Sequence, residues 1–214
     1  KAERAEVAPR SEEEIGGVNV YVGRMSDVTM DVLLAESDRI KQERQPAAVV
    51  LGGSEDGRVH LVANFDRSLE GKVDAVEVIK AAAAEVGGGG GGRATMARAG
   101  GKDPAKLDAA LERAERDFLI ATAAEAAGGI GWCLDKAIAY AEDREQFGQT
   151  IDAFQAVAQA CVDILAAFQE VSAAARYAAL AVASGNPEAP KAAHVAALRA
   201  GEAFRAVTES AVHL

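Results

Sequence analysis

Six consecutive glycines, Gly87 to Gly92, followed at once by Arg93, limit what this chain can fold into more than any other segment. Glycine lacks a Cβ, so its backbone reaches φ > 0 and passes close to another backbone or to a ligand. The run sits in EVGGGGGGRATMARAGGKDP, residues 85–104, where Gly100, Gly101 and Lys102 form a second cluster. Two readings follow. In a curved glycine segment, successive N–H groups form an anion-binding nest, and Arg93 and Lys102 supply charge beside it. A polyglycine run is equally a signature of a flexible linker between domains.

At 214 residues, half of them apolar, the chain suits one or two domains with a real core. Abundant alanine and only 5% aromatic residues favour closely packed helices over a sheet-dominated fold. The formal net charge is −10, and both halves share the acidic excess. That excludes a globally basic nucleic-acid binder, so any anion site must be local. Cys133 and Cys161 fall on apolar stripes and read as buried free thiols, which fits a reducing, cytoplasmic setting. His60, His194 and His213 are isolated from one another and from the cysteines, so no metal is expected. Glu125, Asp135 and Asp143 interrupt the alanine-rich runs, so no membrane span is expected, and no leader is visible. The first residue is Lys1 rather than methionine, the expectation for a piece of a longer protein.

Residues 1–14 are polar and acidic and read as a frayed arm or helix. Residues 15–25 alternate Val18, Val20 and Val22 with polar partners, a half-buried strand. Ser26-Asp27 reads as a helix start, with Val28, Val32, Leu33 and Ile40 at helical spacing up to Gln45, before Pro46. Residues 47–51 form a short apolar strand, GGSEDG (52–57) a turn, and 58–65 the returning strand. Residues 73–86 form a helix feeding the glycines, and Asp103-Pro104 starts another. Beyond it no strand is evident. Ile120, Ala124, Ala127, Gly131, Leu134, Ile138 and Ala141 form one stripe of 4-3 spacing, and Val157, Cys161, Ile164, Phe168, Val171, Ala175, Ala178 and Val182 another. Gly148 closes the first long helix, and Gly185-Asn186-Pro187 separates the second from a third at 189–213. The fold class is therefore an α+β N-terminal domain, a small sheet with helices, followed by an all-α antiparallel bundle segment. The division falls at 117/118, inside a continuous helix.

GGGGGGRATMARAGGKDPAKLDAAL, together with the upstream GGVNVYVGRM, VVLGGSEDGRVHLVANF and VIKAAAAEVGG segments, resembles the C-terminal DHH-associated domain of alanyl-tRNA synthetases. The resemblance covers residues 14–117 and implies a module that contacts tRNA and supports dimerisation. It carries phosphate contact over to Gly90, Gly91, Gly92, Arg93, Gly100 and Gly101, beside Lys102. Backbone N–H groups and a guanidinium suit a phosphodiester. Alternatively, these glycines serve only close backbone packing.

Residues 119–214 are similar to a different family, the C-terminal helical domain of flavin-dependent acyl-CoA dehydrogenases. Tyr140, Arg144, Phe147 and Gly148, followed by Phe154-Gln155, carry that likeness. It implies that Arg144, Phe147 and Gln155 contact an FAD of a neighbouring subunit. The bland reading is that Arg144 caps a helix and Phe147 fills the bundle seam. The position of the alternative catalytic carboxylate used by some members aligns with Phe118, which cannot abstract a proton. Together the two resemblances imply a chimera-like binding and assembly protein without an activity of its own. tRNA is its expected partner and a homo-oligomer its expected state. The competing expectation is an FAD-binding oxidoreductase fragment.

Overall fold

The structure, a computed structural model, describes residues 7–15 and 17–213. The chain divides into two compact units between Phe118 and Leu119. The first unit is built on one mixed sheet of six strands in the order β1-β2-β3-β4-β6-β5. These are β1 (Ala8–Ile15), β2 (Val18–Ser26), β3 (Ala47–Glu55), β4 (Arg58–Phe65), β5 (Gly89–Arg93) and β6 (Met96–Gly101). Among the described residues only β2 and β3 pair in parallel, and α1 (Met30–Glu43) makes their crossover.

Strand β3 is buried on both faces over Ala47–Gly53, which explains its unalternating apolar sequence. Below one face, Tyr21, Met25, Val49, Leu51 and Val62 pack with Leu33 and Ile40 of α1. Asn64 is fully buried there. Its amide donates to Ser37 Oγ at 3.1 Å and to Asp38 at 2.8 Å, and its oxygen accepts from Lys41 Nζ at 2.7 Å. A buried amide satisfied on every side fixes α1 over β4. The opposite face carries α2 (Ala75–Glu85) and the first turns of α3 (Leu107–Asp143). A Cβ on Gly52 would lie 2.8 Å from Leu107 and 3.0 Å from Leu111, and Phe65 meets Phe118 edge-on at 5.5 Å.

Several local expectations are corrected. Residues 8–15 form β1, an edge strand, rather than a frayed arm; residues 1–6 lie outside the described residues. Its glutamates are used: Glu12 accepts from Arg44 at 2.8 Å. Ser26 ends β2, and Thr29 rather than Ser26-Asp27 caps α1, accepting from the Val32 N–H at 3.3 Å. Val32 itself is exposed. Gly52 to Glu55 belong to β3, so the turn is Asp56-Gly57 alone. Both have positive φ (48° and 74°), as a two-residue type I′ hairpin requires.

The second unit holds α4 (Gln155–Ala183) and α5 (Ala189–His213) beside the later turns of α3. Tyr177 meets Glu188 and Glu170 meets Arg199, so α4 and α5 run antiparallel. Gly185 (φ 67°) ends α4, its N–H donating to Val182 and that of Asn186 to Ala181. A Cβ on Gly129 would lie 2.6 Å from the Phe204 ring, and one on Gly131 3.0 Å from the Phe168 ring. Of the expected α3 stripe, Ala127, Leu134 and Ala141 are buried but Ala124 and Ile138 are exposed, and Ala123, Ala126, Ile130, Cys133 and Ala137 join the buried side. α3 ends at Asp143, and Gly148 sits in a hairpin beyond it. α4 is long and apolar enough to cross a membrane by length and composition, which the earlier expectation, drawn from α3, missed. No break interrupts α3 from Leu107 to Asp143.

The glycine run forms β5, and its alternate members are held by contact. A Cβ on Gly88, Gly90 or Gly92 would lie 1.7, 2.3 and 2.3 Å from backbone oxygens of Gly100, Arg98 and Met96. On Gly89 or Gly91 it would meet nothing within 4 Å. Gly90→Ala should therefore cost about 1–3 kcal/mol through overpacking. Gly91→Ala should be neutral or stabilising by up to about 1 kcal/mol through the unfolded chain. Urea denaturation of the two variants checks the contrast; equal stabilities would contradict it.

Candidate functional site

α2 ends in a Schellman turn. Gly87 has φ 64°, and the Gly88 N–H donates to Ala83 O at 2.9 Å. Gly87 is the only glycine of the run with positive φ. Gly89 to Gly92 are extended and paired with Gly100 to Ala97 of β6. The run is thus neither a curved nest nor a linker. It is the outer strand of a hairpin whose turn is Ala94-Thr95.

Strand alternation sorts this hairpin into two faces. Gly88, Gly90 and Gly92 press on β6, and Gly101 lies over Val86 of the α2 terminus, where a Cβ would be 2.3 Å from its Cγ2. The other face is open. Cross-strand register puts Gly91 beside Arg98 and Val62, Gly89 beside Gly100 and His60, and Arg93 beside Met96. Cross-strand partners share a face, so Arg93, Arg98, His60 and Arg58 line one side of the sheet with a glycine floor between them, and Lys102, just past β6, borders the cleft at its end. Residues two apart on a strand are separated by about 6–7 Å, so these cations make a row rather than a cluster. Arg58, Arg93, Arg98 and Lys102 form no ion pair among the described residues. Glu55, opposite Arg58, is the acid that register places beside them.

The sequence-marked residues divide accordingly. Gly100, Gly101 and Lys102 border a cleft of about 500 Å³ with Gly87, Gly89 and His60. Arg93 lies at the other end of β5, next to the turn. Gly91 faces the row, whereas Gly90 and Gly92 face β6. Arg58, His60 and Arg98 were missed. Their only sequence signal is alternation within their own strands; the register that gathers them is set by pairing.

In the second unit, Glu145-Gln146 and Gln149-Thr150 form a small hairpin beyond α3, with Phe147 (φ 55°) and Gly148 (φ 81°) at its tip. A bulky residue in that region is strained. Phe147 is 93% exposed and meets Phe154 edge-on at 6.1 Å, so it does not fill the bundle seam. Arg144 donates to the Tyr140 hydroxyl, with its guanidinium 5.5 Å from that ring's centre. Gln155 opens α4 and is exposed. Arg144, Phe147 and Gln155 thus flank one hairpin on an open surface. They offer a guanidinium, a ring and an amide, which suits the outer part of a dinucleotide. None of them lines the cavity of about 780 Å³ between α3 and α5, bordered by Trp132, Tyr140 and Val212, so they form no enclosure for a flavin ring. Phe118, at the aligned carboxylate position, is a buried core ring. Burial pushes the Cys161 thiol up, so it is not a poised nucleophile, and Cys133 is buried. Among the described residues, no group of three or more His, Cys, Asp or Glu could hold a metal ion.

An α+β unit followed by a helical unit is also what comparison with known proteins gives. Residues 17–118 match the DHHA1 domain model and residues 107–214 the acyl-CoA dehydrogenase C-terminal domain model. Through the latter, which spans half its length, the chain belongs to the acyl-CoA dehydrogenase C-terminal domain family, and it joins to it a DHHA1 segment. An alanine–tRNA ligase of Hydrogenovibrio crunogenus is 42% identical over 98 residues, 46% of this chain. The chain spans only 11% of that ligase's length. The C-Ala domain of Aquifex aeolicus alanyl-tRNA synthetase is 29% identical, covering 48% of this chain and 92% of its own, with a TM-score of 0.44. Butyryl-CoA dehydrogenase of Megasphaera elsdenii is 17% identical, covering 78% of this chain and 45% of its own at a TM-score of 0.53, a likeness of fold.

The hairpin tip generates a direct test. Truncating a core phenylalanine costs about 3–5 kcal/mol. Phe147→Asn removes an exposed ring and suits positive φ, so it should leave stability unchanged or raise it by up to about 1 kcal/mol. A loss above about 2 kcal/mol in thermal unfolding would show that the ring packs after all.

Proposed function

We propose that this chain is a non-catalytic binding and assembly protein whose sheet face contacts the phosphate backbone of a structured RNA, with tRNA the partner that its DHHA1 relatives' names point to. One observation carries this reading. Gly89 and Gly91 have neither positive φ nor a neighbour that a Cβ would strike, so the fold itself does not require glycine there. A ligand pressed against the sheet does, and the residues beside them are Arg98, His60 and Arg93. Backbone contact of this kind positions a nucleic acid without reading its sequence. The row is local on a chain of net charge −10, so the reading expects weak, salt-sensitive binding. A cytoplasmic location and self-association go with it.

The test is titration of the whole chain with a tRNA transcript over a salt series. Four phosphate contacts give a slope of log K against log salt of about −3 to −4. Arg93→Ala and Arg98→Ala should each weaken binding and reduce that slope by about 1. Gly91→Val should weaken binding with the fold intact, because it fills the open floor. Unchanged affinity and slope in the Arg93→Ala/Arg98→Ala double variant would remove the sheet face from the reading.

The exposed, strained Phe147 favours a second reading, in which Arg144, Phe147 and Gln155 hold the outer part of an FAD completed by another chain. Flavin supplies hydride-accepting chemistry when bound; these residues supply only a donor, a packing surface and an amide. Incubation with excess FAD and desalting should leave flavin on the protein, and Arg144→Ala should release it. Colourless wild-type protein would exclude this reading.

A further inference from the structure

His60 is the one member of the open row whose charge a change of pH can switch. Arginine and lysine stay charged through the physiological range, whereas histidine gains or loses its charge between pH 5 and 8. Across the sheet its neighbours are all glycine: Gly53 on β3, Gly100 on β6 and, beyond it, Gly89 on β5. Val28 stands over Gly53, where a Cβ would lie 2.5 Å from its Cγ2. On the other side a Cβ on Gly100 would meet only the Val59 oxygen, at 3.7 Å, and one on Gly89 nothing within 4 Å. The half-buried imidazole therefore opens toward the cleft of about 500 Å³ that it borders with Arg58 and Lys102. Among the described residues it has no hydrogen-bond or ion-pair partner.

We propose that His60 couples RNA binding on this face to the uptake of one proton, so that affinity rises as pH falls. This rests on the RNA reading and names its regulation. Register gives the charged groups around the ring. Arg58 lies two residues away on β4, Arg98 and Lys102 two residues either side of Gly100, and Glu55 two residues beyond Gly53. β5 brings only glycine from Gly89 to Gly92, with Arg93 at its far end. The segment entering α1 brings Val28, with exposed Asp27 next to it in sequence. α2 packs on the opposite face. Cations outnumber acids in this set, which suits the cleft to a phosphate.

A phosphodiester held by Arg58 and Lys102 sets its negative charge beside the imidazole, and an opposite charge close by favours the protonated ring. The proton comes from bulk water, and no bond of the RNA is made or broken. A neutral imidazole donates through one ring nitrogen and an imidazolium through both. Uptake therefore adds a charge-assisted hydrogen bond to phosphate as well as a counter-charge. The complex then holds more protons than the free chain and RNA, so by linkage affinity rises as pH falls, by at most about tenfold per pH unit. It levels off where bound and free states hold the same number of protons. The glycine floor admits the phosphate, because a side chain at Gly89 or Gly100 would occupy the face beside the ring. His194 and His213 lie on α5, in the other unit.

Titration of the whole chain with a tRNA transcript at about pH 6 and pH 8, each over a salt series, tests the coupling. Wild type should bind roughly three- to tenfold tighter at the lower pH. Its slope of log K against log salt should be steeper there by about 0.5–0.9, the share of one added phosphate contact. His60→Gln should hold the weaker affinity and shallower slope at both pH values. His60→Lys, charged at both, should hold the steeper slope at both. Misfolding cannot produce that pair of results, since it would weaken binding in either variant. His194→Gln should respond to pH as wild type does. A pH response retained by His60→Gln overturns the coupling, as does a wild type of equal affinity and slope at the two pH values; either result leaves the RNA reading standing. A wild type that binds no transcript at either pH removes the RNA reading itself.

Discussion

The close approach of β5 to β6 is the contact on which the rest of the first unit depends. Gly88, Gly90 and Gly92 stand where any Cβ would strike the backbone of the neighbouring strand. Bare backbone there lets the hairpin fold down onto the end of α2, with Gly101 over Val86. The Lys102 N–H then donates to Val86 O at 2.8 Å, which joins hairpin, helix end and chain exit at one point. The same strand turns Gly89 and Gly91 outward. A single segment therefore settles packing on one side of the sheet and leaves a bare surface on the other.

What keeps that surface bare is the placement of α1. The satisfied amide of Asn64 holds α1 over β4, and the helix packs chiefly over β3 and β4. On the opposite face α2 lies under β4, β6 and β5, and the first turns of α3 reach Gly52 and Phe65. Three of the sheet's four quadrants are thus covered by helix. The fourth carries Arg93, Arg98, His60 and Arg58, with Lys102 at its end. Like charges spaced along a solvated surface cost little, so the fold tolerates the row with Glu55, opposite Arg58, as the acid that register places beside it.

Elements whose side chains alternate or repeat were legible in the sequence. β4 and α5 were read at their observed bounds, and α2 to within two residues at its start, because apolar period and capping agree there. β1 was not, since Glu12, Glu13 and Glu14 show no alternation; its reason to be a strand lies in β2 and in Arg44, far along the chain. Gly52 and Gly53 looked like turn residues. They are strand residues because Leu107 and Leu111 fill the space over the first, and Val28 and Leu33 that over the second. The glycine run carried no side-chain pattern at all, so composition could not tell a strand from a nest. For the same reason the cationic row was half visible: Arg93 and Lys102 stood beside glycines in sequence, while Arg58, His60 and Arg98 join only through strand register.

Residues 107–118 fall within both family matches, and α3 shows physically how one segment can serve two patterns. Leu107, Ala110, Leu111, Ala114 and Phe118 are buried at spacings of three, one, three and four. Leu119, Ala123, Ala126, Ala127, Ile130, Cys133, Leu134 and Ala137 are buried past the division of units, also at helical spacing but on a face turned by more than a quarter turn from the first set. A loop at that point would need its own turn residues and its own backbone partners. A helix needs neither, because each new residue adds its hydrogen bond to the ladder already formed. The only demand on the junction is that the helix continue, and it does so without a glycine or proline between Pro104 and Gly128. That is why composition leaves no mark at the boundary, although two different family models meet there.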